Sequence, residues 1–385
     1  MIDLTGILTE DQIALRQLIH DFLAKEVVPY AAEWDRDAIF PMETYKGGCE
    51  IGPNALELPA EYGGVGLSAL DLAIAMQEVC WADAGFGATL GAHGLGMKPL
   101  LIAGSEAQRK HFAEIVLDKK GLSAFALTEP NAGSDAGATA TTARRVGNEY
   151  VINGRKCFCT NAEYADIFTV FATVDKSLGI KGITAFTVDR DTPGLTVGKH
   201  EDKMGQRSSV TNDVVFEDMV VSESQRIGDE GKGFKIAMQT LDRGRAGAAA
   251  SAAGVGRAAL EHCVKYAKER CTMGKPIIEH QAVQIMLADM ATAVETSRQI
   301  GWYVARLIDA GNLKEAAKVG AMSKCYATDA LMKTCTDAVQ IMGGYGYSKE
   351  YPVEKLFRDA KLFQIFEGTN QIQRTVIASA LKREY

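Results

Sequence analysis

The spacing of apolar residues changes character twice along this chain, and that order constrains the fold more than any other feature. From Glu10 to about Glu33, Ile13, Leu15, Leu18, Ile19, Phe22, Leu23 and Val27 recur at helical spacing, and similar patterns cover 68–83 and 106–117. Between 123 and about 225 the pattern becomes short β-rich runs, SAFALT, EYVING, DIFTVFATV, GITAFTVD, GLTVGK and DVVFEDMVV, punctuated by Gly, Asn and Asp as in an antiparallel sheet. Helical periodicity then returns in four long stretches, 233–270, 280–310, 313–342 and 369–382, which suit an antiparallel bundle. Helices, strands and helices in segregated blocks are an α+β order and exclude the alternating units of a Rossmann sheet. The expectation is an N-terminal α-helical domain over 1–122, a middle antiparallel β domain over 123–232 and a C-terminal four-helix bundle over 233–385. No low-complexity linker separates them, so they are expected to pack as one body.

A chain of 385 residues can bury a substantial core without disulfides or metals. Its formal charge of -7 is spread along the sequence with no Lys/Arg block, so nucleic acid is not an expected partner. Eight cysteines form no CxxC pair, and six histidines form no HExxH or other ligand spacing, so no metal site is expected. The start MIDLTGILTEDQ carries neither a basic nor an apolar leader segment, and reduced thiols in a cytoplasm are the simplest reading. Apolar runs such as FGATLGAHGLGMKPLLIAG are studded with Gly and contain His93 and Lys98, so no membrane span is expected.

Several short stretches carry possible chemistry. FEGTNQIQR (366–374) sets one carboxylate, Glu367, between an aromatic ring and a glycine, with amides and a hydroxyl before Arg374. Apolar neighbours raise a carboxyl pKa toward neutrality, which suits a base. LTEPNAGSD (127–135) follows a strand and offers hydroxyls and free backbone N–H groups; it either cradles a polar heterocycle or phosphate or is a surface turn. KCFCTN (156–161) puts Phe158 and Thr160 on one face of a strand, to stack on and bond a ring or to pack in the core. LDRGR and AKERCTMGKPI place Asp242, Arg245 and Arg270 on or near helix ends, where arginines bind phosphates or pair with carboxylates. The GxG strings at 63–66, 254–259 and 343–348 lack a βαβ context and read as turns and close helix contacts.

Taken together, PAEYGGVGL, LTEPNAGSD, YVINGRKCFCTN, MGQRSS, FEDM, GKGFKIAMQTLDRGR, ERCTMGKPI, DAVQIMGGYGY and YPVEKLFRDAKLFQIFEGTNQIQR resemble the acyl-CoA dehydrogenase family, and most closely its short- and medium-chain branch. The likeness spans nearly the whole chain. It implies the same three-part fold, a homotetramer built as a dimer of dimers, FAD as cofactor, an acyl-CoA substrate and an electron-transferring flavoprotein as acceptor. It implies that Glu367 removes the α-proton of the thioester while the β-hydride passes to flavin N5. The substrate carbonyl would be held by Glu367 N–H and a ribityl hydroxyl of FAD. By motif position, Phe125, Leu127, Thr128, Ser134, Phe158 and Thr160 would surround the flavin, with Thr369 and Gln371 also touching FAD. Arg270, Met273, Gln281, Gln340 and Gly344 would grip its ADP half across a subunit interface. Ser134, Asp242, Arg245 and Gly368 would contact acyl-CoA.

The chain departs from the family pattern at a few positions. Relatives often carry Trp at Phe158 and Tyr at Phe366, and the RxTFG string here reads Arg270-Cys-Thr-Met-Gly, which implies a roomier, drier pocket beside the flavin. TLGAHGLG (89–96) puts Gly91 where relatives can carry bulkier groups, so Gly91 and Phe366 are expected to shape a cavity for a branched, cyclic or medium acyl group. His93 is expected to be a core or helix-packing residue. Two other functions stay open: an enoyl-CoA reductase or oxidase on the same fold, and a non-catalytic acyl-CoA-binding protein.

Overall fold

A computed structural model describes Leu4, residues 6–52 and residues 54–385; residues 1–3 and Thr5 of the opening stretch MIDLTGILTEDQ, and Pro53, lie outside the described residues. The first helix, α1 (Glu10–Glu26), starts on a reciprocal cap in which Thr9 Oγ1 accepts Gln12 N–H and Gln12 Oε1 accepts Thr9 N–H. It does not run to Glu33. Pro29 has no N–H to continue the ladder, so α1 closes at Val27 and a separate helix, α2 (Ala31–Asp37), follows.

After α3 (Met42–Gly48) and α4 (Ala69–Ala82) comes α5 (Ala84–Ala103), which the sequence pattern does not mark as a helix. Five glycines and an internal Pro99 give α5 little intrinsic propensity, so its stability comes from packing. Asp83 fixes its start by accepting Phe86 N–H at 2.7 Å. The glycines allow close approach to the sheet: a Cβ on Gly96 would lie 2.5 Å from Ser123 Oγ. Helix α6 (Glu106–Asp118) ends this part.

Strands β1 (Leu122–Ala126), β2 (Thr142–Val146), β3 (Glu149–Thr160), β4 (Ala165–Thr173), β5 (Ile183–Asp189), β6 (Leu195–His200), β7 (Thr211–Ser222) and β8 (Arg226–Ile227) form one sheet in the order β6-β7-β3-β2-β4-β5-β8, with β1 beside β4. The sheet is mixed rather than purely antiparallel. β1 runs parallel to β4 from Leu122↔Ala165 to Ala126↔Val170, and β2 meets β4 in parallel at Thr142↔Thr173. The chain between β1 and β4 makes a long excursion through the β2–β3 hairpin and so returns in the same direction.

The C-terminal part holds α7 (Gly233–Glu269), a short hairpin of β9 (Cys271–Thr272) and β10 (Lys275–Pro276), then α8 (Gln281–Asp309), α9 (Leu313–Met342), α10 (Pro352–Phe363) and α11 (Asn370–Glu384). Five helices stand here where the periodicity marks four; α10 is the addition. The three long helices α7, α8 and α9 pack along one another, α4 joins them on α7 and α8, and α10 and α11 lie on α9. One apolar cluster therefore runs through both helical parts, from Leu23 and Val79 to Val255, Leu331 and Phe363.

A buried charge network ties all three parts together. Lys355 Nζ on α10 donates to Asp83 Oδ2 at 2.7 Å and Asp359 Oδ2 at 2.6 Å. Asp83 also accepts Ser208 Oγ–H, and Asp359 Oδ1 accepts Gln206 N–H at 2.5 Å. Burial pulls the Lys355 pKa down, but Asp359 and Asp83 outweigh it and hold it above the ordinary lysine value. This junction sets where the loop after α10 sits against α5 and the sheet.

Candidate active site

Helix α10 ends at Phe363, and six residues later Thr369 caps α11 by accepting Ile372 N–H at 3.3 Å. The loop between them is pinched shut: Phe366 N–H donates to Leu362 O and Asn370 N–H to Gln364 O, each at 3.0 Å. To make that turn Glu367 takes φ +54° and Gly368 φ +87°. A left-handed glycine is unremarkable, but a left-handed glutamate costs about 1–3 kcal/mol and needs its surroundings to enforce it. They do so through two carbonyls. Gln373 Nε2 donates to Glu367 O at 3.2 Å and Gly368 O at 3.0 Å, and Lys324 Nζ on α9 donates to Gly368 O at 2.8 Å.

The strained backbone aims the Glu367 side chain at α7 and α5. Its Oε2 is sealed from solvent and finds no hydrogen-bond partner among the described residues. Gly244 on α7 makes the approach possible, since a Cβ there would lie 3.1 Å from Glu367 Oε2 and 3.6 Å from Leu95 Cδ2. Burial raises the Glu367 pKa above the ordinary carboxylate value; Lys98, Lys324 and Arg245 oppose that, and Glu57 adds to it. The Glu367 backbone N–H also has no acceptor among the described residues. The loop thus presents a desolvated carboxyl and a free N–H donor side by side.

Around this carboxyl stand charged groups that the sequence reading placed differently or passed over. Asp242 and Arg245 are not at a helix end but inside α7, three residues apart, paired at 2.6 Å. Arg245 is buried, and its Nε has no partner. Lys98, noted in the sequence only as a break in an apolar run, pairs with Glu57 at 2.5 Å. Lys324 and Gly244 lie in stretches whose spacing gives no chemical signal; only the tertiary packing brings them to Glu367. Gly91 lies one turn before Leu95 on α5, and a Cβ there would meet only Met76 Cε, at 3.9 Å. Phe366 packs edge-on against Phe363, with ring centres 5.1 Å apart.

His93 is a core residue. Its Nε2–H donates to Asn54 O at 2.7 Å while Nδ1 accepts Ser123 N–H at 2.9 Å, which fixes the neutral ring; burial lowers its pKa to about 4.

A second group of expected residues gathers where β1 runs out beside β3. Cys157 N–H donates to Thr128 O at 2.9 Å, so the loop carrying Leu127, Thr128 and Ser134 leaves alongside Phe158 and Thr160, with Phe125 just before it on β1. The loop is pinned from beneath by a buried pair, Glu129 and Lys156, at 2.7 Å, with Lys156 also donating to Leu127 O at 3.0 Å. Phe158 is not an ordinary strand residue facing with Thr160. The β3–β7 register slips between Lys156 and Cys159, Phe158 takes φ +52°, and the residue is 66% exposed. The bulge thus holds an aromatic residue in a strained backbone conformation and shows it to solvent.

The third group is separate. Arg270, Met273, Gln281, Gln340 and Gly344 are all exposed at one end of the bundle, gathered by the Arg270 guanidinium over the Tyr345 ring at 5.7 Å. Met273 takes φ +50° and is almost fully exposed. Among the described residues no hydrogen bond, ion pair or ring contact joins this cluster to the residues on the sheet. Thr369 and Gln371 stand at the start of α11, Thr369 half-buried as the cap and Gln371 exposed.

Among the described residues no group of His, Cys, Asp and Glu could hold a metal ion, and no helix is long and apolar enough to cross a membrane. The sequence matches the acyl-CoA dehydrogenase N-terminal domain over residues 9–119, the middle domain over 124–219 and the C-terminal domain over 231–382. It is 44% identical over 379 residues to the mitochondrial short-chain specific acyl-CoA dehydrogenase of Mus musculus, covering 98% of this chain and 92% of that protein. Among solved structures it superposes on butyryl-CoA dehydrogenase from Megasphaera elsdenii with a TM-score of 0.94 and 42% identity, covering 98% and 99% of the two chains. It superposes equally fully, with a TM-score of 0.95 and 44% identity, on a chain described as "Electron transferring flavoprotein of Acidaminococcus fermentans: Towards a mechanism of flavin-based electron bifurcation".

Proposed function

Because the chain belongs to the acyl-CoA dehydrogenase family, FAD-binding oxidoreductases acting on CH–CH groups, we propose that Glu367 is the base that removes the α-proton of a bound acyl-CoA thioester. The observation that carries this reading is the Glu367 carboxyl: buried, without a hydrogen-bond partner on Oε2, and held on a strained loop. A thioester α-proton is weakly acidic, and a hydrated carboxylate is a poor base for it. Desolvation raises the carboxyl toward the pKa the step needs. The free Glu367 N–H is placed to donate to the thioester oxygen, where negative charge grows as the proton leaves. When bound, FAD supplies the acceptor for the hydride lost from the β-carbon.

The same reading assigns Phe125, Leu127, Thr128, Ser134, Phe158 and Thr160, with Thr369 and Gln371, to the flavin half of FAD. The displayed Phe158 ring fits that role. The exposed cluster of Arg270, Met273, Gln281, Gln340 and Gly344 takes the ADP half of a cofactor bound mainly by a partner subunit, in a tetramer of paired dimers. Its separation from the sheet residues within one chain supports this. Ser134, Asp242, Arg245 and Gly368 contact acyl-CoA, the pair of buried Arg245 and half-exposed Asp242 by bounding the site. The open space at Gly91, with Phe366 in place of a bulkier wall, favours a branched, cyclic or medium acyl group. Electrons pass to an electron-transferring flavoprotein, a reading supported by the likeness to the Acidaminococcus fermentans chain. Eight unpaired cysteines suit a reducing cytoplasm.

Anaerobic addition of acyl-CoA thioesters, with flavin absorbance as the readout, tests the assignment. The wild type bleaches; Glu367→Gln keeps its colour and still binds ligand but does not bleach. Bleaching of the variant at the wild-type rate removes Glu367 as the base. A sharp preference for butyryl-CoA over hexanoyl- and cyclohexanecarbonyl-CoA removes the reading of Gly91.

A further inference from the structure

Three cations surround the Glu367 carboxyl, and they are not equivalent. Arg245 on α7 is neutralised by Asp242 at 2.6 Å, and Lys98 on α5 by Glu57 at 2.5 Å. Lys324 on α9 is fully buried and donates only to neutral oxygens, Gly368 O and Asn370 Oδ1, both at 2.8 Å. Among the described residues no carboxylate oxygen lies within 4 Å of it. The nearest acid on its own helix, Asp329, is already engaged by Arg374 of α11 at 2.7 Å, Asn370 Nδ2 at 2.7 Å and Gln364 Nε2 at 2.6 Å. The Cys325 thiol, also close, is held in the neutral form by burial. A buried ammonium without a counter-ion is expensive, and cores avoid it unless something else compensates.

The compensating charge is the Glu367 carboxylate. Lys324 does not touch it; the ammonium grips the next residue's carbonyl from below. That distance matters chemically. A direct hydrogen bond would stabilise the carboxylate strongly and weaken it as a base, whereas a charge acting through the loop lets a desolvated carboxylate exist as an anion and keep its free lone pairs.

We propose that Lys324 is a positioning residue of the active site: its unshared buried charge, anchored on the Gly368 carbonyl, keeps the Glu367 carboxylate ionised and ready to accept a proton. This rests on the reading of Glu367 as the base. Burial brings the Lys324 pKa down to about 8, with the charge of Glu367 opposing that fall. The ammonium is thus present at neutral pH and is lost as pH rises through that range, so at high pH the wild type itself no longer carries the charge. Removing the charge should therefore hurt at low pH and matter little at high pH. Lys98, Arg245, Asp242 and Glu57 stay unchanged in such a variant.

Lys324→Gln separates charge from tether, because glutamine can still donate to Gly368 O but carries no charge; Lys324→Met removes both. The FAD-loaded variants are mixed anaerobically with butyryl-CoA and, in parallel, cyclohexanecarbonyl-CoA, and bleaching rates are followed from pH 6 to 9.5. The infrared C=O stretch of a protonated carboxylic acid, absent from Glu367→Gln, reports the Glu367 proton independently of turnover. Both Lys324 variants are expected to be slower than wild type by about tenfold or more at pH 6.5, to come within about threefold at pH 9.5, and to show the protonated Glu367 band at higher pH than wild type. If Lys324→Met does not fold, Lys324→Gln carries the same test. A wild-type profile and band for Lys324→Gln, or a loss of equal size at every pH, overturns the inference while leaving the base in place. Full bleaching by Glu367→Gln instead overturns the base, and the inference with it.

Discussion

Lys355→Met should unlatch the three parts of the chain from one another. The methionine fills the same space but leaves Asp83 and Asp359, both buried, with no cation between them. Breaking a buried ion pair by deleting one partner costs about 3–5 kcal/mol, because the remaining charge is uncompensated. Unfolding entropy near 60 °C is about 2.1 cal/mol/K per residue, so 385 residues give roughly 0.8 kcal/mol/K and the loss corresponds to about 4–6 °C in Tm. The sign with pH follows from the raised lysine pKa. The stabilisation is fully present below the unfolded lysine value of about 10.4 and fades only as pH climbs toward the folded value. Melting curves of the wild type and the variant should therefore stay apart from pH 6 to 9. Lys355→Met/Asp359→Asn should recover part of the difference, since it removes one of the two stranded acids. A shift below 1 °C, or a double variant no better than the single one, would refute the claim that this network holds the junction.

Gly244→Ala should leave the fold intact but push a methyl group against the base, because its Cβ would lie 3.1 Å from Glu367 Oε2. The flavin bleaching rate should fall by about tenfold to a hundredfold with little change in Tm, since small displacements of a reacting group are costly. Phe158→Gly should relax the left-handed backbone at the bulge and make the cofactor-free chain about 1 kcal/mol more stable, while FAD is retained less well through dialysis.

The order of helices, strands and helices was legible because burial imposes period 3.6 on long helices and period 2 on exposed-face strands, as in α8 and β7. Helix α5 was not, because its five glycines erase the periodic signal while serving the packing that makes it a helix. The split between α1 and α2 was announced by Pro29 and missed because the apolar spacing runs on to Val27. Strand β2, TARRV, has only Ala143 fully buried, and its outward arginines hide a strand from a pattern search. At the site, the lone acid of FEGT was readable because its neighbours are contiguous in sequence. Lys324, Lys98, Glu57 and Gly244 were not, because they reach Glu367 only through the packing of α9, α5 and α7. Asp242 and Arg245 were expected on or near a helix end but lie inside α7, where the glycine between them makes room for a carboxylate.

The central claim is that Glu367 takes the α-proton, and solvent isotope exchange at that carbon tests it most directly. Butyryl-CoA is incubated anaerobically in D2O with the FAD-loaded enzyme, and deuterium at C2 is read by mass spectrometry. The wild type should incorporate deuterium, and Glu367→Gln, still folded and still binding the ligand, should do so at least about a hundredfold more slowly. Uptake by the variant at the wild-type rate would contradict the account, because some other group would then be removing the proton.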